Sequence, residues 1–275
     1  MENTLELEMR KFGFLAPNFE KIEQFVKDLL GEQLVLLRDM NILALEMVES
    51  GAELSQGQTS MSPIVISTLA MLRSLENFQA GIILIERGMS VEPKILARCI
   101  YENAFCIGAA FKNPVEFSKI LKDDNGAAKL AQAKLLMKQE HSMSRTTSGK
   151  VRKFIDEAKP LQKQATINIA KIAENSGFGE FYLYYRVLSG EAMHLSADSL
   201  LRHIFTTGEN SWSGFNSALI NENELIDSAF YLSNSTMCAI LAYNDFINKE
   251  PITEKISEIW ARLVGLVFEE NGRKN

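Results

Sequence analysis

Apolar residues recur at helical spacing along most of this 275-residue chain. Phe19, Ile22, Phe25, Val26, Leu29 and Leu30 form the first stripe, with Asn18 as its N-cap, and predict one or two helices over 18–48. Ser62-Pro63 reads as the cap and first residue of a second helix that Gly88 closes. Ser90 caps a third, "VEPKILARCIYENAFCIGAAF", over 91–111, and Asn113-Pro114 with Glu116 opens a fourth. The stretch "DDNG" at 123–126 then predicts a turn before two basic helices, 127–142 and 146–175, the second broken at Pro160. Gly177 and Gly179 precede a helix carrying Tyr184–His194, and helices over 222–248 and after Pro251 finish the chain. In the last of these, Ile256, Ile259, Trp260, Leu263, Val264, Val267 and Phe268 share one stripe. Residues 49–61 and 206–221 read as loops, and no alternating run predicts a strand. The expected fold is all-α: a single multi-helix bundle of at least seven helices, without a sheet, carrying a basic helical insert. Within it, 1–60 supplies N-terminal helices and a linker, 61–248 the core with the basic helices 127–175, and 249–275 an amphipathic helix. Helix 91–111 is apolar on most sides and is expected to be among the most buried.

Composition changes this picture little. Hydrophobic residues make up 46% and charged residues 23%, the balance of a soluble globular domain. The start, "MENTLELEMRKFG", is acidic and polar, unlike a signal peptide. The longest greasy run is interrupted by Arg73 and Glu76, so the expectation is a cytoplasmic protein with no membrane span. Cys99, Cys106 and Cys238 are odd in number and lack metal-type spacing, which fits reduced thiols.

Charge is uneven. The net charge is −6, yet residues 127–172 hold ten Lys and Arg against three acids, a local +7 that leaves −13 for the rest. Such a segment either faces a polyanion or keeps two solvated helices soluble. Lys150, Arg152 and Lys153 are the candidate contacts to an RNA backbone or a protein partner.

Most catalytic signatures are missing: no Gly-rich phosphate loop, paired Cys motif, His-Glu-x-x-His or Gly-x-Ser-x-Gly occurs. His194 and His203 lie nine apart, off a shared helix face, so neither a metal nor a cofactor is expected. Two polar sets remain. Arg98, Glu102 and Asn103 sit inside helix 91–111, with Arg98 and Glu102 one turn apart. If that pair is buried, Glu102→Ala strands the arginine at a cost of roughly 3–5 kcal/mol. The second set lies in "YYRVLSGEAMHLSADS", residues 184–199: Tyr185, Arg186, Ser189, Gly190, Glu191 and His194. An ideal helix offsets Arg186 from His194 by about 80°, so they share a pocket if Gly190 bends the helix. The bland alternative is a helix end whose polar groups bind nearby carbonyls.

"KILARCIYENAFCIGAAF", followed much later by "YYRVLSGEAMHLSADSL", resembles an uncharacterised, mostly bacterial helical family, domain of unknown function 5677, over roughly residues 60–248. The resemblance implies a helical fold and common polar positions at Arg98, Glu102, Tyr185, Arg186, Ser189 and His194, with no established reaction. A looser similarity is to the HEPN superfamily, helical bundles often met in toxin–antitoxin and phage-defence settings. Its ribonucleases carry Arg, four to six residues, then His; here seven residues intervene and Val187 replaces a polar residue. Two readings follow. One is a metal-independent endoribonuclease in which Arg186, aided by Arg98, clamps a phosphate and His194 moves the proton, a homodimer bringing two sets together. The other is a non-enzymatic helical module in a defence or regulatory complex.

Overall fold

The computed structural model describes residues 9, 11–17, 19–158, 167–193, 196–208, 211–215 and 220–273. Among them the long helices are α1 (Glu20–Leu54), α2 (Pro63–Glu86), α3 (Val91–Lys112) and α4 (Pro114–Met137). Shorter ones follow: α5 (Arg145–Ala158), α6 (Ile169–Ser176), α7 (Tyr182–Leu188) and α8 (Ala197–Leu201). The chain closes with α9 (Glu222–Ile247) and α10 (Glu250–Arg273). The fold is an all-α bundle, as its periodicity predicts, and α3 is its axis. Helices α2 and α9 flank α3 along its length, α6 and α7 cover another side, and α1 closes over α2 and α9. Ala97, Ile100, Tyr101, Ala104, Phe105 and Ile107 of α3 have essentially no exposed surface, which meets the expectation for helix 91–111. They join α1, α2 and α9 in one continuous apolar cluster that reaches Leu263 of α10.

Local signals set several boundaries. Pro63 occupies the first turn of α2, and Gly88, at φ +78°, ends it by a turn in which the Met89 N–H reaches the Leu84 carbonyl. Elsewhere packing overrides them. Helix α1 runs through the expected linker to Leu54 because Gly51 lies under Tyr243 of α9. A Cβ at position 51 would collide with the Tyr243 hydroxyl, which is hydrogen-bonded to Thr68 Oγ1 at 2.7 Å. The "DDNG" stretch forms no turn: α4 continues through it, and the Asp124 carboxylate accepts the Ile167 N–H at 2.8 Å. The basic helices are consequently α5 and the second half of α4, while Asn18 and Pro160 lie outside the described residues.

The expected 206–221 loop holds a correction. Ile204–Thr206 (β1) and Trp212–Phe215 (β2) pair antiparallel, with a bulge beside Thr206, as a short two-stranded sheet. Its signal was invisible because the strands are only three and four residues long. Among the described residues one helix, α9, is long and apolar enough to cross a membrane, but 67% of that window is buried inside the protein, as a core helix requires. Cys238 on α9 is fully enclosed, and burial pushes its thiol far above the ordinary range.

Candidate functional site

One face of α3 is polar at every turn. Ser90, Lys94, Arg98 and Glu102 follow each other at four-residue spacing, so they stack along the helix. This seam meets α7 and the residues after it. Arg98 is its centre: Nε donates to Ser189 Oγ at 2.9 Å, Nη2 to the Tyr185 hydroxyl at 2.7 Å, and Nη1 to Glu102 Oε2 at 3.3 Å. Its guanidinium carbon also lies 4.6 Å from the Tyr185 ring centroid. The Ser189 hydroxyl in turn donates to the Tyr185 carbonyl at 2.7 Å. Each of the three guanidinium nitrogens thus has a partner, and residues about ninety positions apart are joined through one cation. Burial, and then the Glu102 carboxylate, push the Tyr185 phenol above its ordinary value, so it stays neutral as an acceptor.

The pair is less buried than a closed ion pair would be. The Glu102 side chain is 37% exposed against 16% for Arg98. Water therefore shares the carboxylate, and the 3–5 kcal/mol expected for a buried pair does not apply. Glu102→Ala is expected to cost about 1 kcal/mol or less, read from the denaturation midpoint, because Tyr185 and Ser189 still hold the arginine. A loss above about 3 kcal/mol would restore the buried-pair account.

At the other end of the seam, Ser90 does not cap its helix with its side chain. Its hydroxyl donates to Glu224 Oε2 at 2.7 Å, and Arg202 pairs with the same carboxylate. The Ser228 hydroxyl donates to the Ser90 carbonyl at 2.5 Å. This knot ties α8 and α9 to the start of α3. Between it and Arg98 stands Lys94, 3.9 Å from Glu191 Oε2. Lys94, Arg202 and Glu224 escaped the sequence reading, although the Ser-x-x-x-Lys-x-x-x-Arg-x-x-x-Glu series was there to be found.

The segment facing the seam departs from α-helix. Ser189–Met193 form a π turn that continues α7 directly. The Ser189 hydroxyl bonding back to its own helix loosens the ladder there. Gly190 is exposed, and its carbonyl accepts the Ser196 hydroxyl at 2.9 Å. Such turns insert an extra residue and are frequent at functional sites. Ser196 also caps α8 in a reciprocal arrangement with Ser199.

The structure gathers Arg98, Glu102, Tyr185, Ser189 and Glu191 along the seam and disperses the rest. Arg186 points into solvent with no side-chain partner among the described residues. Asn103 lies on another face of α3, donating to Ser74 Oγ at 3.1 Å. His194 lies outside the described residues, and His203 is exposed. Lys150, Arg152 and Lys153 sit on α5, which packs chiefly on α4 rather than on the seam. There Arg152 is bonded to Glu140 at 2.6 and 2.7 Å, Lys153 lies 3.8 Å from Glu157, and Lys150 is exposed. A Ser148 hydrogen bond and Arg152 hold the Glu140 carboxyl below its usual range. Among the described residues no three His, Cys, Asp or Glu side chains gather as metal ligands.

The family of unknown function DUF5677 matches residues 64–211, more than half of the chain. The chain belongs to this family. The DUF5677 match runs from the start of α2 through the seam to the edge of β2, shorter than the 60–248 resemblance read from the motifs. No curated protein and no solved structure matches the chain. In this DUF5677 protein α1, α9 and α10 fall outside the match, although α9 supplies Glu224 and Ser228 to the seam.

Proposed function

We propose that this DUF5677 protein is a metal-independent endoribonuclease of HEPN-like type, of the kind that acts in toxin and phage-defence systems, with Arg186 and His194 as its catalytic pair. The observation that carries this reading is the π turn after Arg186. A π turn takes up one residue more than an α turn, so for helical phase a step of eight residues across it equals seven. Seven intervening residues then count as six, the upper end of the HEPN nuclease spacing. Arg186, exposed and without a partner among the described residues, is free to take a phosphate in a bidentate fork. Arg98, engaged through all three of its nitrogens, acts as a positioning residue that fixes Tyr185 and Ser189.

In the reaction, the ribose 2′-hydroxyl loses its proton to a base and its oxygen attacks phosphorus. The P–O5′ bond breaks and the leaving oxygen takes a proton from an acid, giving a 2′,3′-cyclic phosphate and a 5′-hydroxyl. Imidazole is the side chain best suited to proton transfer at neutral pH, and His194 is assigned one of these transfers; a homodimer supplies a second Arg/His set for the other. The test is incubation of a mixed RNA pool with the purified protein in a chelator, followed by mapping of 5′-hydroxyl ends. Discrete ends are expected.

A specific observation favours a second reading, a non-enzymatic interaction module. The small sheet exposes Phe205, Trp212 and Phe215 at 55%, 62% and 73%, beside Leu200 and Leu201. Aromatics left in water at this density suit a protein contact. A folded protein that leaves the whole RNA pool intact selects this reading over the ribonuclease.

A further inference from the structure

Lys94 is the cation of the seam whose bonding needs are least met. The residue is only 9% exposed. Its ammonium nonetheless makes no hydrogen bond to any described residue: Glu191 Oε2 is 3.9 Å away and the Tyr231 ring centroid 5.8 Å. An ammonium carries three donors, and here no described side chain satisfies any of them, which leaves them to solvent at the edge of the seam. Its neighbours contrast with it, since Arg98 fills three acceptors and Arg202 is paired with Glu224. Glu191 differs as well. Its side chain is 46% exposed, and it sits on the π turn next to Gly190, around which a Cβ would meet open space. A carboxylate so hydrated, held at 3.9 Å, is a loose counter-ion that another anion can displace at small cost.

We propose that Lys94 is a phosphate-binding residue and Glu191 its displaceable counter-ion. A phosphodiester of single-stranded RNA approaches over Gly190, moves the Glu191 carboxylate aside and takes the ammonium's donors. Lysine binds phosphate as a compact point charge, without the planar fork that the occupied Arg98 would need. The site lies against the π turn that leads away from Arg186, so the bound backbone runs alongside the proposed catalytic stretch. The choice of RNA as ligand rests on the ribonuclease reading; the anion site rests on Lys94 and Glu191.

The experiment measures binding of a short all-2′-O-methyl RNA by fluorescence anisotropy. This probe lacks the attacking hydroxyl, so binding is read without cleavage. Lys94→Met is expected to weaken binding about tenfold, and Glu191→Gln to tighten it about threefold by removing the competing carboxylate. A structural role for the pair forecasts no change in affinity for either variant. Folded Lys94→Met that binds like the wild type overturns the proposal, as does Glu191→Gln that binds no tighter. If Lys94→Met fails to fold, the half-exposed Glu191→Gln decides alone. Inorganic phosphate raising the melting temperature of a wild type that ignores the oligonucleotide would assign the site to free phosphate and overturn the RNA claim. Binding through Lys94 without RNA cleavage keeps this site and rejects the ribonuclease. Cleavage that depends on His194, with Lys94→Met binding normally, does the reverse.

Discussion

Alanine in place of His194 is expected to slow RNA cleavage by about 10²- to 10⁴-fold, the usual worth of one proton-transferring group. Arg186→Ala should lose about 10²- to 10³-fold, because the charge gathering on the phosphorane is then left without its fork. Arg186 is exposed and holds no other described side chain, so its removal should leave the melting temperature close to the wild-type value. That pairing of lost rate with kept stability separates catalysis from architecture. The structural account of the 184–199 stretch forecasts the opposite, a lowered melting temperature and no activity to lose. Both quantities are measured on the same preparations, cleavage as the rate of appearance of 5′-hydroxyl ends and stability by thermal denaturation. A wild-type rate unchanged in both variants removes the pair from any role in the reaction.

Arg98→Ala should destabilise the fold by about 3 kcal/mol. Three losses add up to this figure. The Tyr185 and Ser189 hydroxyls each lose a charged donor in a mostly buried place, about 1 kcal/mol apiece. The arginine stem also leaves a void against the Tyr185 ring, worth about another 1 kcal/mol. Glu102 adds little, because water already reaches its carboxylate. Arg98→Lys should recover less than half of the loss, since one ammonium cannot serve three acceptors in the directions the fork covers. Urea denaturation with an unchanged slope gives the comparison directly. A loss below about 1 kcal/mol for Arg98→Ala would mean that α7 is held to α3 by apolar packing alone.

The two expectations rest on opposite environments within one short segment. Tyr185 and Arg186 are neighbours in sequence, yet the first is buried against α3 and the second faces water. A helix turns about 100° per residue, so adjacent side chains are assigned to different worlds by the packing face alone.

What the chain determined by itself is the helical content and much of its punctuation. The periodic stripes of α1 and α10, the Ser62-Pro63 start and the Gly88 stop are local signals. They act through backbone propensity and one-sided burial, which need no distant partner. The candidate polar residues of α3 and α7 were legible for the same reason, as charged groups where the surrounding pattern was apolar. Everything that depended on which surfaces meet was decided by the tertiary structure. "DDNG" stayed helical because Phe117 and Leu130 bury α4 on either side of it, outweighing a weak turn preference. Residues 204–206 and 212–215 paired into strands too short to show alternation. Arg98 met Tyr185 and Ser189 across about ninety residues, Glu102 turned out partly exposed, and Lys94 was mostly enclosed with only a distant carboxylate beside its ammonium. Spacing along a chain fixes a side chain's direction on its own helix, whereas burial and partnership depend on the helices packed against it.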